Sequence, residues 1–165
     1  MRHQQAVAPE PSPAPAARPA KTCPSSACGE GALLLGVMTS AGTLAYLNPP
    51  VPVDAEFAAR EAERGNPERR YRFAGPCLEG GCPQWTGRGC AIADMAAAAG
   101  PVHLGLPASP GRLPACSIRH SCRWYFQRGP DACAVCPLIV ADMGGTETYL
   151  SVQAQAHAED HDAEL

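Results

Sequence analysis

The stretch CRWYFQRGPDACAVCP, residues 122–137, places three large aromatic residues between cysteines. The chain of 165 residues contains only nine Phe, Trp and Tyr residues, so a third of them stand together here. A helix is predicted over residues 121–128, because Gly129 can adopt the left-handed conformation that ends a helix and Pro130 follows it. The stretch therefore predicts a short helix that combines thiols with a bulky apolar surface.

The aliphatic core that this sequence can supply is thin. Hydrophobic residues make up 45% of the chain, but thirty of them are alanine and nine are cysteine. The 18 Pro and 16 Gly residues favour loops and short elements. A small domain of this kind usually needs disulfides or a metal for stability. We expect an α+β fold: a small, irregular, loop-rich domain with an N-terminal β-hairpin, two or three short helices and cysteine-bearing loops.

The composition divides the chain into three segments. Residues 1–21 are rich in Pro and Ala and lack a periodic apolar pattern, so we predict a disordered lead. Residues 22–142 are predicted to form a single cysteine-rich metal-binding domain. Residues 143–165 are predicted to be a flexible acidic tail.

Local signals within the domain indicate a hairpin followed by a helix. Two apolar runs flank a turn within residues 32–47, where Gly42 can supply a positive φ. The run NPPVPV, residues 48–53, is predicted to form neither helix nor regular strand pairing. Asp54 can cap the N-terminus of a helix that ends before Gly65.

Further elements are predicted beyond this helix. Residues 70–75 alternate in polarity and residues 138–142 are apolar, so each is predicted to be a short strand. An alanine-rich helix is predicted over residues 91–100. The run at 101–114 is predicted to be a loop.

Seven of the nine cysteines fall within residues 77–136, in two groups, with two more upstream. The closest pair is Cys133-x2-Cys136, whose thiolates could reach one metal ion or cluster. Two sets of four metal ligands are predicted, and Cys28 is then the odd thiol. The predicted ligands are Cys23, Cys77, Cys82 and Cys90 for one set, and Cys116, Cys122, Cys133 and Cys136 for the other.

The spacings favour an iron–sulfur cluster over zinc. Only one CxxC pair is present, whereas zinc ribbons commonly have two. A cluster depends on solvent exclusion, so Trp85 and Trp124 are candidate cofactor-binding residues that would shield it. Packing of these aromatic residues in the core is the alternative. Zinc is the alternative to an iron–sulfur cluster, and His120 could replace a cysteine in either kind of site.

Three interpretations of the cysteines without a metal are the alternatives. A thioredoxin-like pair at Cys133 and Cys136 would require a strand before it and a helix after it. A disulfide framework would require an oxidising compartment and usually an even number of cysteines. Plain buried thiols are disfavoured by seven cysteines at such short spacings.

The net charge of −3 gives no support for nucleic-acid or membrane binding. No apolar stretch is long enough for a membrane span, and the N-terminus lacks the apolar region of a secretory signal. We therefore expect a cytoplasmic protein with reduced thiols. The segment Arg60–Arg72 mixes five Arg with three Glu, and we predict a solvated face there.

The blocks CLEGGCPQWTGRGC (77–90) and CRWYFQRGPDACAVCPLIV (122–140), with CPSS ahead of a hairpin, resemble small cysteine-rich bacterial proteins. Most of these are uncharacterised, and some are loosely labelled nitrogen-fixation proteins. The resemblance covers about residues 22–142 and implies a compact bacterial module without an established activity.

The sequence as a whole predicts a non-catalytic iron–sulfur protein with one or two clusters. It would act in electron transfer, redox sensing or support of a partner enzyme, and the protein partner is unknown. A zinc-stabilised interaction module is the alternative function, and a thiol oxidoreductase is the third.

Overall fold

A computed structural model of the protein describes residues 20–103, 112–141 and 148–150. They form a four-stranded sheet, a group of helices and connecting segments that hold most of the cysteines. Short 3₁₀ turns lie at Pro67–Arg69, Glu79–Gly81 and Cys136–Leu138. The strands are β1 (Thr22–Ser26), β2 (Leu33–Met38), β3 (Leu44–Pro52), β4 (Tyr71–Pro76), β5 (Ile139–Ala141) and β6 (Thr148–Leu150). The helices are α1 (Ala55–Glu63), α2 (Ala91–His103), α3 (Arg123–Arg128) and α4 (Pro130–Val135).

The main sheet has the order β1-β4-β2-β3, and every neighbouring pair is antiparallel. β5 and β6 form a separate antiparallel pair. An antiparallel sheet with segregated helices is an α+β arrangement, so the predicted fold class is confirmed. The predicted hairpin corresponds to β2 and β3, and Gly42 has the expected positive φ of 71°.

Strand pairing through the NPPVPV run was predicted to be impossible, and this was wrong. β3 includes this run as far as Pro52, and Pro52 pairs with Leu33 of β2. The register shifts between Leu34 and Gly36, which accommodates the irregular part of β3. β3 is also an edge strand of the sheet, and proline is tolerated where no neighbour needs its N–H.

Helix α1 covers one face of the sheet. Asp54 caps it as predicted, with its carboxylate accepting a hydrogen bond of 2.7 Å from the Phe57 N–H. The Phe57 ring packs edge-on against Tyr71 and Phe73 of β4, with ring centroids 5.6 and 6.4 Å away. Because side chains alternate along a strand, Arg72 of β4 points to the opposite face.

The segment Arg60–Arg72 is only in part the solvated face that was predicted: Arg60 and Arg64 are exposed, whereas other charged residues are buried. The Glu61 side chain is only 2% exposed, because arginine side chains cover its carboxylate. Those of Arg64 and Arg70 each lie 3.1 Å from it. Arg72 is itself 3% exposed. Mixed charge in this segment therefore reflects internal ion pairing together with one fully buried cation.

α2, α3 and α4 pack against one another, and α3 also contacts β1 of the sheet. α3 begins at Arg123 and ends at Gly129, whose φ is 60°, as predicted for a glycine that ends a helix. The chain turns directly into α4, a helix that the sequence did not predict. Pro130 occupies the first turn of α4, where its missing N–H has no cost.

Two predicted terminal segments lie mostly outside the described residues. The lead, 1–21, is described only at residues 20 and 21. Within the predicted tail, 143–165, the described residues are those of β6, which pairs with β5. None of the helices in the described ranges is both long and apolar enough to cross a bilayer.

The sheet depends on a close backbone approach at Gly36. A Cβ atom there would lie 2.6 Å from the Ala45 carbonyl oxygen and 2.8 Å from the Leu44 side chain. We expect Gly36→Ala to reduce the free energy of unfolding by about 1–3 kcal/mol through overpacking. Gly29→Ala is the control, since a Cβ there meets nothing within 4 Å. Urea denaturation of both variants measures the difference, and equal midpoints would contradict this packing.

Candidate metal centres

Four of the predicted ligands line one cavity of about 240 Å³. They come from four places in the chain, namely β1, the end of β4 and both ends of a loop that precedes α2. Trp85, Trp124 and Arg123 also line this cavity. The first cysteine set consists of Cys23, Cys77, Cys82 and Cys90.

Strand pairing brings the first two of these cysteines together. Cys23 of β1 pairs with Gly75 of β4, and Cys77 follows two residues later. The Cys77 N–H donates to the Lys21 carbonyl at 2.8 Å, which extends the ladder beyond the strands. The structure therefore places Cys23 in the wall of the same cavity as the other three cysteines of this set.

The loop from Cys82 to Cys90 folds back on itself. The Trp85 N–H donates to the Cys82 carbonyl at 3.0 Å, and Trp85 forms an isolated bridge with Cys90. Gly87 has a φ of 89°, which a residue with a side chain rarely adopts. This folding returns Cys90 to the same cavity as Cys82.

Gln127 of α3 holds Cys90 in position through both of its backbone groups. The Gln127 side-chain oxygen accepts from the Cys90 N–H at 2.9 Å, and its amide donates to the Cys90 carbonyl at 3.0 Å. The side chain fits because Gly89 has no Cβ, which would lie 2.8 Å from the Gln127 oxygen. A single residue of α3 thus fixes a thiol of the first cysteine set.

The other four predicted ligands line a second, much smaller cavity of about 10 Å³. Two lie at the ends of the turn before α3, and two lie in and just after α4. Tyr46, Arg119 and Trp124 contribute to the same wall. The second cysteine set consists of Cys116, Cys122, Cys133 and Cys136.

Polar groups surround the sulfurs of the second cysteine set. The Tyr46 hydroxyl donates to the Cys136 sulfur at 3.2 Å, and Arg72 Nη1 donates to the same sulfur at 3.5 Å. The Arg119 guanidinium is hydrogen-bonded to the Cys133 sulfur. These donors favour a negatively charged sulfur, which is the form that binds metals.

Backbone amides act in the same direction in both sets. Four sulfurs, those of Cys23, Cys90, Cys116 and Cys122, are faced by backbone N–H groups two or three residues further along the chain. Cys90 and Cys122 immediately precede α2 and α3, so helix N-termini supply these groups. Hydrogen bonds to sulfur are one of the means by which proteins stabilise metal–thiolate centres.

Burial opposes ionisation of the free thiols. Together with a smaller effect of the neighbouring sulfurs of the first cysteine set, it raises the pKa of Cys23 to about 12. It also raises the pKa of Cys122 to about 12 and raises those of Cys90 and Cys116. Burial raises the pKa of Cys133 as well, although the hydrogen bond from Arg119 acts to lower it. A metal must therefore displace protons from these thiols when it binds.

Trp124 lies between the two sets. It is 2% exposed and lines both cavities, and it packs in the main core with Ile139 and Val135. Trp85 lines the first cavity only. Trp124 therefore both packs in the core and lies beside the cysteines. Phe126 is 65% exposed and does not share that position.

An arginine guanidinium lies over the ring of each tryptophan. The Arg72 guanidinium lies 5.7 Å from the Trp124 ring centroid, and that of Arg123 lies 5.1 Å from Trp85. Arg123 is also ion-paired with Glu79. The two cysteine sets thus have similar surroundings, but the arginine beside the second is far more deeply buried.

Two other candidates lie apart from these cavities. Cys28 has its backbone N–H bonded to Glu68 at 2.7 Å and lines neither cavity. His120 is exposed and is absent from both walls, so it does not replace a cysteine in this arrangement. All nine cysteines have free thiols. Among the described residues, no three His, Cys, Asp or Glu side chains converge closely enough to hold a single metal ion.

The structure adds residues that the sequence did not single out. Arg72 alternates with aromatic residues in β4, and a cation in a central strand was the available signal. Tyr46 and Gln127 gave no such signal, because long-range packing brings them to the Cys136 sulfur and the Cys90 backbone from 90 and 37 residues away. Comparison with protein-family models, curated proteins and solved structures finds no match for this chain.

The contact of Gln127 with Cys90 predicts that removing the Gln127 side chain lowers the free energy of unfolding. Gln127→Ala leaves the partly buried Cys90 N–H without its partner, whereas the Cys90 carbonyl still accepts from the Asp94 N–H at 3.3 Å. We expect the unsatisfied N–H to cost about 1–3 kcal/mol. Cys90 should also react faster with a thiol reagent. Arg128→Ala on the same helix removes only an exposed ion pair with Asp94, so it should cost less than about 1 kcal/mol. Equal effects of the two changes would refute the positioning role of Gln127.

Proposed function

We propose that the protein is a non-catalytic iron–sulfur protein with two thiolate-bound metal centres. One observation carries the proposal: the eight cysteines divide into two sets of four, and each set lines its own cavity beside Trp124. Four thiolates per site is the usual ligand number for both iron–sulfur clusters and structural zinc.

The first cysteine set is where an iron–sulfur cluster has most support. Its cavity of about 240 Å³ offers more room than a single ion needs. A tetrahedral zinc would draw all four sulfurs to about 2.3 Å from one point. Trp85 and Trp124 form apolar walls there, and these would limit the access of water to the bound group.

Zinc is favoured by one observation at the second cysteine set. Its cavity is only about 10 Å³, so a small group would require less rearrangement there. A zinc-stabilised interaction module is therefore the second candidate function. A thiol oxidoreductase has less support, because such enzymes lower the pKa of the attacking thiol and burial raises that of Cys133.

The biological role is proposed on the chemistry of the ligands. Electron transfer, redox sensing or support of a partner enzyme would each suit such a protein, with another protein as partner. Nine free thiols are compatible with a reducing compartment, and we propose the cytoplasm. The resemblance to small cysteine-rich bacterial proteins agrees with this role but assigns no activity.

Anaerobic purification tests the proposal directly. We expect brown protein that contains iron and acid-labile sulfide, measured by elemental analysis and a sulfide assay on the same sample. Stoichiometric zinc without sulfide would contradict the iron–sulfur proposal and favour the interaction module. Protein without either metal, whose cysteines prove paired by mass spectrometry, would contradict metal binding altogether.

A matched pair of cysteine variants tests the assignment of ligands. Cys82→Ser should remove roughly half of the bound metal, because one set loses a thiolate while the other remains complete. Cys28→Ser should leave the metal content unchanged, since Cys28 lines neither cavity. Both variants are compared with the original protein by metal-to-protein ratio. Loss of metal from the Cys28 variant would refute the assignment.

A further inference from the structure

The second cysteine set lies beside a buried cation that has no carboxylate partner among the described residues. Arg72 is 3% exposed. Its guanidinium donates to the Cys136 sulfur at 3.5 Å, to the Cys136 carbonyl at 3.3 Å and to the Ile139 carbonyl. Its remaining neighbour is the face of Trp124. A guanidinium is always charged, and a buried charge is costly unless an opposite charge balances it.

The environment of Arg72 indicates what supplies that opposite charge. Carbonyl oxygens and an indole ring are dipolar or quadrupolar and carry no net charge. Among the groups that Arg72 contacts in the described residues, the Cys136 sulfur is the one that would be anionic as a metal thiolate. Tyr46 of β3 donates to the same sulfur, and Arg119 approaches Cys133. The donors around this set therefore suit a group with net negative charge.

We propose that Arg72 is the internal counter-ion of the metal group held by the second cysteine set, and that this centre is structural and retained in the folded protein. Four thiolates outweigh the charge of a divalent ion and of an iron–sulfur core, so either occupant would be anionic. This inference rests on the proposed binding of metal by the second set, and it does not depend on which metal is bound.

The first cysteine set differs in ways that make it the exchangeable centre. Its arginine, Arg123, already has a carboxylate partner in Glu79, so it needs no anion from the site. Residues 78–81 and 86–88, which belong to the loops that carry Cys77, Cys82 and Cys90, are exposed. A chelator should therefore remove metal from the first set before the second, and the protein should stay folded after the first loss.

The test follows metal release from the second centre alone. The Cys82→Ser background removes the first centre, and metal transfer to a coloured chelator is then timed. Tyr46→Phe loses one hydrogen bond to sulfur, and we expect release to be roughly tenfold faster, the equivalent of one hydrogen bond to a charged group. Tyr71→Phe is the control, because Tyr71 packs against Phe57 on the opposite face of the sheet.

Changes at Arg72 separate charge from packing. Arg72→Met should lose the second centre, Arg72→Lys should recover most of the metal, and Arg123→Met should retain it. The variant Tyr46→Phe keeps the test decisive if Arg72→Met fails to fold. If the protein binds two metal groups but Tyr46→Phe and Arg72→Met both leave the rate of metal release unchanged, the inference is overturned. The proposed function would then remain intact. A protein that binds no metal would overturn both.

Discussion

Trp124 packs between two sets of four cysteines, and the rest of the structure depends on that packing. The chain has few large aliphatic residues, so the core around this indole is built partly from the thiols themselves. Cys90, Cys122 and Cys136 are members of the same buried cluster as Trp124. A change in the conformation of α3 would disturb both cavities at once, because Trp124 lines both. Stability and metal binding are therefore expected to be linked in this protein.

Much of the fold could be predicted from local signals. Gly42, Asp54 and Gly129 each mark a turn, a helix start or a helix end, and each has the predicted role. These residues act through backbone conformation and hydrogen bonds to near neighbours, which short sequence windows contain. The pairing of β3 beyond residue 48 was missed because tolerance of proline depends on the position of a strand in the sheet.

The grouping of the cysteines around two cavities could be predicted from the sequence, but the side chains beside them could not. Cysteine spacing indicated the two groups, and the turn residues between the cysteines predicted short connecting loops. Arg72 and Tyr46 reach Cys136 across 64 and 90 residues of sequence, respectively. Only the pairing of strands and the contact of the Cys136–Leu138 turn with the sheet create those contacts. A charged segment such as Arg60–Arg72 cannot be divided into exposed and buried cations without the tertiary structure.

The two centres have related surroundings but are proposed to have different roles. Each has an arginine stacked on a tryptophan, yet Arg123 is balanced by Glu79 whereas Arg72 faces a sulfur. A structural centre beside an exchangeable one would suit a protein that keeps its fold while its other metal group is reduced, oxidised or transferred. The difference lies in charge balance and exposure, not in the number of thiols.

Native mass spectrometry of double variants, prepared without oxygen, tests the division into two sets most directly. The original protein should carry two metal groups. Cys77→Ser combined with Cys82→Ser should remove one group, since both belong to the first cysteine set. Cys82→Ser combined with Cys133→Ser should remove both groups, since they belong to different sets. Loss of the same number of groups from the two double variants would contradict the arrangement of eight cysteines around Trp124.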